Sequence, residues 1–481
     1  MTRFWALGTQ PGGLYPDEAA EGLSAERLLN QPGFHPIFFD DDGGREATFA
    51  YVVAITFRLF GASTLTLRAT AAALGVLGVA AIWLAVRRFG RWPAIAATAW
   101  AAGSLWLICV SRDGFRNVIT IGFGALLLAA VLRWGDRPSR RWALVAGAAT
   151  AAGLWTYQPL KFAPLFVAGW LLWLRHRDRD KYLSLRRDLS WAILAYVVVA
   201  APMGWTAITD AANFFGRAAG VSIFNPGSGS ADSYPVHVLK TLGMFIVAGD
   251  PNQRHDVNAL PLLGPVLFVP FVFGAWRAWR LRRDHAHAAL LIGLVVFLIP
   301  PLIANEGAAP HFLRTLGLAP FIAALIGIGV RELHRFALVL SLRLRGVMAR
   351  AARFVTPAAA TVALVALGAL SCLTYLARPV AERYDAYSFG DVQLAALSAR
   401  GPGTVVVIND YDAFDVRFLD WNDPPTIIDP GTRLADPSVY SLIVATSKSD
   451  IAMAAGNAAA ERATVAATDL TGRPAVWTVV P

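Results

Sequence analysis

Two adjacent carboxylates follow a proline in Tyr15-Pro16-Asp17-Glu18-Ala19, and four later stretches each offer cations or imidazoles. These are Ser111-Arg112-Asp113-Gly114-Phe115-Arg116, the turn from Tyr157 to Lys161, Gly249-Asp250-Pro251-Asn252-Gln253-Arg254-His255, and Glu306 with Pro310-His311-Phe312-Leu313-Arg314. A carboxylate can take the proton from an attacking hydroxyl, while cations stabilise a departing phosphate. One cation about 4 Å from a phosphate oxygen is worth roughly 4 kcal/mol at an effective dielectric near 20. Gathered in one cleft, these groups are what transfer from a phosphate-linked donor needs. Asp17 also suits the mouth of a helix beginning at Glu18, where a side-chain oxygen and negative charge are both favourable. Capping and catalysis are compatible, because a helix start can hold a carboxylate rigidly and still present it to a cleft.

The elements that must position these groups are mostly membrane spans. Hydrophobic residues make up 56% of the 481 and charged residues only 16%, against about a quarter charged in a soluble protein. The net charge of +10 is no nucleic-acid footprint, because the arginines cluster between apolar segments. Cys109 and Cys372 lie within apolar stretches and imply neither a disulfide nor a zinc site. Residues 17–30 read as a polar amphipathic helix and 35–46 as an acidic, glycine-containing loop. The apolar segment 47–60 carries Arg58 and falls short of the roughly 20 residues a span needs, which places it in the interface.

About ten spans are predicted, near 65–86, 93–111, 116–134, 142–157, 160–174, 190–208, 260–279, 288–304, 312–330 and 354–376. The loops 87–91, 133–141, 175–187, 277–283 and 331–353 hold 23 Lys/Arg, whereas 112–116, 157–161, 209–259 and 305–314 hold 7. The positive-inside rule puts the first set in the cytoplasm and every candidate residue above outside. That parity also sets residues 1–64 outside and calls for a further apolar helix ahead of Met1. The chain thus divides into an extracytoplasmic segment 1–64 with interfacial helices, a helical bundle 65–376 with a long exterior loop 209–259, and an extracytoplasmic α/β domain 380–481. In the last, a helix over 391–398 and strands over 404–408, 426–428, 441–445 and 475–480 are expected. The basic segment 331–353 suits a helix on the anionic cytoplasmic surface.

Pro16-Asp17-Glu18-Ala19, the interfacial helix ending Phe57-Arg58-Leu59-Phe60-Gly61 and the four ordered exterior motifs resemble the GT-C superfamily of membrane glycosyltransferases, over about residues 10–330. The likeness is to bacterial members similar to protein O-mannosyltransferases and lipid A aminoarabinose transferases. It implies inverting transfer of a sugar from a polyprenyl-phosphate donor to an acceptor hydroxyl on protein, lipid or envelope glycan, at the bacterial inner membrane. By carry-over Asp17 is the general base and Glu18 its neighbour; a carboxylate beside another should have a raised pKa, which favours proton acceptance. Arg112, Arg116, Lys161 and Arg314 form the donor-phosphate clamp, with Lys161 standing where the family usually carries arginine and so lacking the bidentate fork. Arg45, Asp250, Arg254, His255, Glu306 and His311 are candidates for sugar or acceptor contacts. No cofactor is required, a divalent metal is left open, and the partners are membrane lipids and the two substrates, with no nucleic acid. The rival reading, a transporter or lipid flippase, expects ionisable groups near the midplane; here they gather at one face.

Overall fold

The computed structural model describes residues 2–41, 44–225, 232–304, 309–341, 347–377, 385–399, 401, 403–469 and 472–481. The first helix, α1 (Pro16–Asn30), starts two residues earlier than expected, with Pro16 in its first turn and Tyr15 as N-cap. Glu18, not Asp17, closes the cap: its Oε2 accepts from the Tyr15 N–H at 3.3 Å. Asp17 is thereby left to face elsewhere. The helix is not amphipathic at a surface but buried along most of its length, Glu18 and Glu21 included, because arginines from other elements neutralise its acidic side. A short antiparallel pair, β1 (Phe38–Phe39) and β2 (Arg45–Glu46), follows where a loop was expected. It aims Arg45 and Glu46 under α1.

Next come α2 (Thr48–Phe60), with Leu59 and Phe60 exposed as an interfacial helix requires, and α3 (Thr64–Val86), capped by Ser63 accepting from the Thr66 N–H. The helices α4 (Arg91–Gly103) and α5 (Leu105–Arg112) are bent by 54° at Gly103. Then follow α6 (Ile119–Asp136), α7 (Arg140–Ala152), α8 (Ala163–Arg177), α9 (Arg179–Arg186), α10 (Leu189–Thr209), α11 (Ala211–Gly220), α12 (Tyr234–Gly243), α13 (Gly264–Arg280), α14 (His285–Ile303), α15 (Ala319–Ser341) and α16 (Val347–Ala377). Helical segments overlap each of the ten expected spans, but 93–111 is divided between α4 and α5 and several others are only partly helical. Among the described residues five are long and apolar enough to cross a membrane, or six if α4 and α5 form one broken span. The others, such as α7 at 13 residues and α8 at 15, are shorter than that measure. Close packing uses small residues, as buried membrane helices require. A Cβ on Gly274 would collide with the Leu325 carbonyl, and one on Gly329 with the Pro270 carbonyl, so α13 and α15 touch backbone to backbone.

Beyond α16 the chain forms α17 (Asp385–Ser398) and a five-stranded mixed sheet built from β3 (Thr404–Val407), β4 (Thr426–Ile428), β5 (Leu442–Ala445), β6 (Thr464–Thr468) and β7 (Pro474–Val479), in the order β4-β3-β5-β7-β6. β3 runs parallel to both β4 and β5, whereas β7 is antiparallel to β5 and β6. Successive residues of β3 bury into two separate cores on the two faces, Val405 and Val407 on one and Val406 on the other. The helix α18 (Ala413–Leu419) docks this domain onto α1: Phe418 lies on Gly22, where a Cβ would strike its ring, and stacks on Phe57 at 6.1 Å.

Candidate active site

The start of α1 faces a cavity of about 500 Å³ lined by Asp17, Arg217, Asp250, Arg254, His311 and Tyr411, with aromatic walls. Asp17 Oδ2 accepts from Arg254 at 2.7 Å and its Oδ1 from the Tyr411 hydroxyl at 3.0 Å. Arg254 also lies 3.9 Å over the Tyr15 ring and 3.5 Å from Asp113. One guanidinium thus serves two carboxylates, which respond in opposite ways. Burial alone would raise Asp17, but Arg254 beside it, helped by Arg116 and Arg217, outweighs burial and holds its carboxyl at about 2. Asp113 is pushed well above the usual carboxylate range, by burial first and by the negative charges of Glu18 and Asp17. The expected upward shift of Asp17 by its neighbour does not occur, because Glu18 turns away to Arg68. Arg68 Nε and Nη2 reach the two Glu18 oxygens at 2.9 and 2.7 Å, and the Gly114 N–H donates to Oε1 at 2.6 Å. Glu18 is therefore a structural carboxylate that ties α1 to α3 and to the Asp113 turn.

On the other wall Asp250 Oδ2 accepts from the Phe312 N–H at 2.6 Å and from His255 Nδ1 at 2.9 Å, while Oδ1 accepts from the Asn252 N–H at 2.8 Å. Arg254 Nε donates to His255 Nε2 at 3.2 Å, so the imidazole carries its proton on Nδ1. Burial lowers both His255 and His311, keeping them neutral. The ligand atoms of Asp250, His255 and His311 lie within 4.8 Å of one another and could hold a divalent cation. Such an ion would displace the hydrogen bonds that already satisfy Asp250.

The expected cations divide into two sets. Lys161 and Arg314 line a second, smaller cavity of about 230 Å³ whose other walls are mostly apolar, among them Phe214, Pro300 and Ile303, with Gln158 and Ser222 as the other polar residues. Lys161 also sits 2.9 Å from Glu46. Arg116 is buried against Glu21 at 2.9 Å, and Arg45 is held by Asp41, Ser24 and Glu21. Arg112 is turned into the N-terminal segment, donating to the carbonyls of Thr2, Trp5 and Gln10 at 2.6 to 2.7 Å, and lies 4.9 Å over the Tyr375 ring. It lines neither cavity. Glu306 lies outside the described residues. Three contributors were given no role from the sequence: Asp113, within the Ser111–Arg116 stretch; Arg217, on α11; and Tyr411, from the C-terminal domain. Tyr411 is presented by a turn in which Asn409 accepts from the Asp412 N–H and donates to its carboxylate.

Residues 47–205 match the family model of dolichyl-phosphate-mannose-protein mannosyltransferases. The fold is similar to that of ArnT from Cupriavidus metallidurans in the apo state, with a TM-score of 0.66 at 14% identity, covering 99% of this chain and 95% of that one. Against the same protein bound to undecaprenyl phosphate the TM-score is 0.64 at 14% identity, with coverage of 99% and 96%. An oligosaccharyltransferase from Archaeoglobus fulgidus, tethered with an acceptor peptide containing the NVT sequon, gives 0.50 at 16% identity, covering 96% of this chain and 70% of that one. No curated protein sequence matches the chain. The resemblance to GT-C glycosyltransferases is thus carried by the family model over one segment and by the fold over nearly the whole chain.

Proposed function

We propose that this multi-pass membrane protein is a GT-C glycosyltransferase that moves a sugar from a polyprenyl-phosphate donor to an acceptor hydroxyl on the extracytoplasmic face, with inversion. The observation that carries the reading is the pairing of two adjoining cavities of different character. The smaller has mostly apolar walls and two cations, Lys161 and Arg314, and suits a lipid phosphate with its first isoprene units. The larger is polar, holds Asp17, and suits a sugar and the incoming acceptor. ArnT in its complex with undecaprenyl phosphate shares the fold, which supports a donor of this class.

In the proposed reaction the acceptor oxygen attacks the anomeric carbon and the bond to the phosphate oxygen breaks. Lys161 and Arg314 stabilise the charge that grows on the phosphate, each by roughly 4 kcal/mol at about 4 Å. Asp17 takes the acceptor proton. A carboxylate held at about 2 is a weak base, so it takes that proton only after the new C–O bond has begun to form and the oxygen has become acidic. Tyr411 donates to Asp17, and Asp113, pushed upward by burial and by Glu18 and Asp17, shares Arg254 with it; two carboxylates with pKa values pushed apart are a familiar way of assigning separate roles. Glu18, Arg68, Arg112 and Arg116 position the scaffold and touch no substrate; the donor-phosphate clamp reduces to Lys161 and Arg314, with Arg217 in the wall of the larger cavity. Asp250, Arg254, His255 and His311 line the sugar side. The acceptor reaches Asp17 past Tyr411, so the C-terminal domain borders its path. The test is transfer from a membrane lipid extract by Asp17→Asn, which keeps the shape of the side chain and removes its basicity. Loss of transfer with unchanged folding supports the assignment; transfer at the wild-type rate removes it.

A further inference from the structure

At the end of the bundle away from the candidate active site, a trough bears two arginines at its mouth. Some guanidinium and ammonium groups of that arginine-rich face are paired within the protein. Arg88 is held by Asp136 and Asp284, Arg331 by Glu332 and the Phe89 carbonyl, Arg277 by Glu332, and Lys181 by the Gly135 carbonyl. Arg87 and Arg133 have no hydrogen-bond or ion-pair partner among the described residues, and they are set apart from the other arginines of this face by their position beside an apolar trough. Both line one trough of about 560 Å³ between α3, α6, α7 and α10. Its remaining walls are apolar, running from Trp142 beside the arginines to Phe123 and Val199 at the far end, and small residues such as Ala149 leave it open.

Length and charge together identify the occupant. Phe123 and Arg133 are ten residues apart on α6, about 15 Å at 1.5 Å per residue, which is half of a hydrocarbon core of about 30 Å. The trough therefore spans one leaflet, with two cations at headgroup level on the face that charge bias sets in the cytoplasm. We infer that it binds an anionic glycerophospholipid of the cytoplasmic leaflet, one acyl chain in the trough and the phosphate between Arg87 and Arg133. A zwitterionic lipid would bring an ammonium to a place that already holds two unneutralised cations.

The test is native mass spectrometry of the whole protein released from nanodiscs containing phosphatidylglycerol and phosphatidylethanolamine. The wild-type protein retains one phosphatidylglycerol. Arg87→Gln with Arg133→Gln weakens its retention about twenty-five-fold, at roughly fivefold for each cation near an anionic headgroup. Ala149→Trp, which fills the trough and leaves both arginines in place, displaces the same lipid. Arg140→Gln with Arg141→Gln, exposed cations outside the trough, retains it. Equal retention by the double Arg87/Arg133 variant or by Ala149→Trp overturns the site, as does recovery of phosphatidylethanolamine or polyprenyl phosphate in its place.

Discussion

Replacing Arg254 by glutamine probes the charge balance at the start of α1. The guanidinium is the principal reason that the Asp17 carboxyl lies at about 2 instead of its ordinary 3.8, against the upward push of burial. At about 1.4 kcal/mol per pH unit this net displacement is worth roughly 2 kcal/mol to the folded state at neutral pH, as the balance of the burial cost against the attraction of Arg254, Arg116 and Arg217. Because the folded-state pKa is depressed, that stabilisation is present above pH 3.8 and is lost as the pH falls toward 2. Arg254→Gln removes the largest of those attractions and leaves the burial cost in place, so it loses at least about 2 kcal/mol of unfolding free energy at neutral pH. It also moves Asp17 upward into the measurable range. The acid limb of kcat/KM, absent above pH 4 in the wild-type protein, appears above pH 4 in the variant, because Asp17 must be ionised to accept the proton. Arg254→Lys keeps the charge, though not the fork that reaches both Asp17 and Asp113, and keeps the limb below pH 4. The assay is sugar transfer from a lipid-linked donor between pH 4 and 8. Superimposable pH profiles for the wild-type protein and Arg254→Gln would refute the idea that Asp17 is the titrating base and that Arg254 sets its pKa.

Removing the Tyr411 hydroxyl by Tyr411→Phe should lower kcat about five- to tenfold, the worth of one partly exposed hydrogen bond to a carboxylate, with melting temperature unchanged. Arg112→Ala and Lys161→Ala should separate by readout. The first unbinds three carbonyls of the N-terminal segment and lowers the melting temperature, whereas the second raises KM for the lipid donor. Chelation with EDTA should leave transfer unchanged, since the lone pairs of Asp250 are already satisfied by N–H donors; a loss restored by added divalent metal would reverse that view.

The placement of helices was legible because apolar runs are a local, additive signal, but five or six helices among the described residues, not ten, are long and apolar enough to cross a membrane. The strands β3, β4, β5 and β7 were legible as β-branched runs. β6 was not, because Ala466 and Ala467 interrupt its β-branched residues and leave it weak. The candidate motifs were legible as motifs, but the use of each side chain was not. Arg112 and Arg116 sit four residues apart with the same charge, yet one holds up the N-terminal segment and the other neutralises Glu21. The pKa of Asp17 could not be anticipated from Glu18, its chain neighbour. It is decided by Arg254, 237 positions away, and the Tyr411 hydroxyl comes from 394 positions away. Pairings at such separations follow from tertiary packing, to which local pattern is blind.

The most direct test of the account follows the phosphate bond itself. The purified protein, reconstituted in nanodiscs, is incubated with a pool of polyprenyl-phosphate sugars and membrane acceptor, and the lipids are analysed by mass spectrometry. The account predicts release of free polyprenyl phosphate in step with glycosylated acceptor, with both lost in Asp17→Asn. Persistence of the lipid-linked sugars with the wild-type protein, or release of polyprenyl phosphate that Asp17→Asn leaves undiminished, would contradict it.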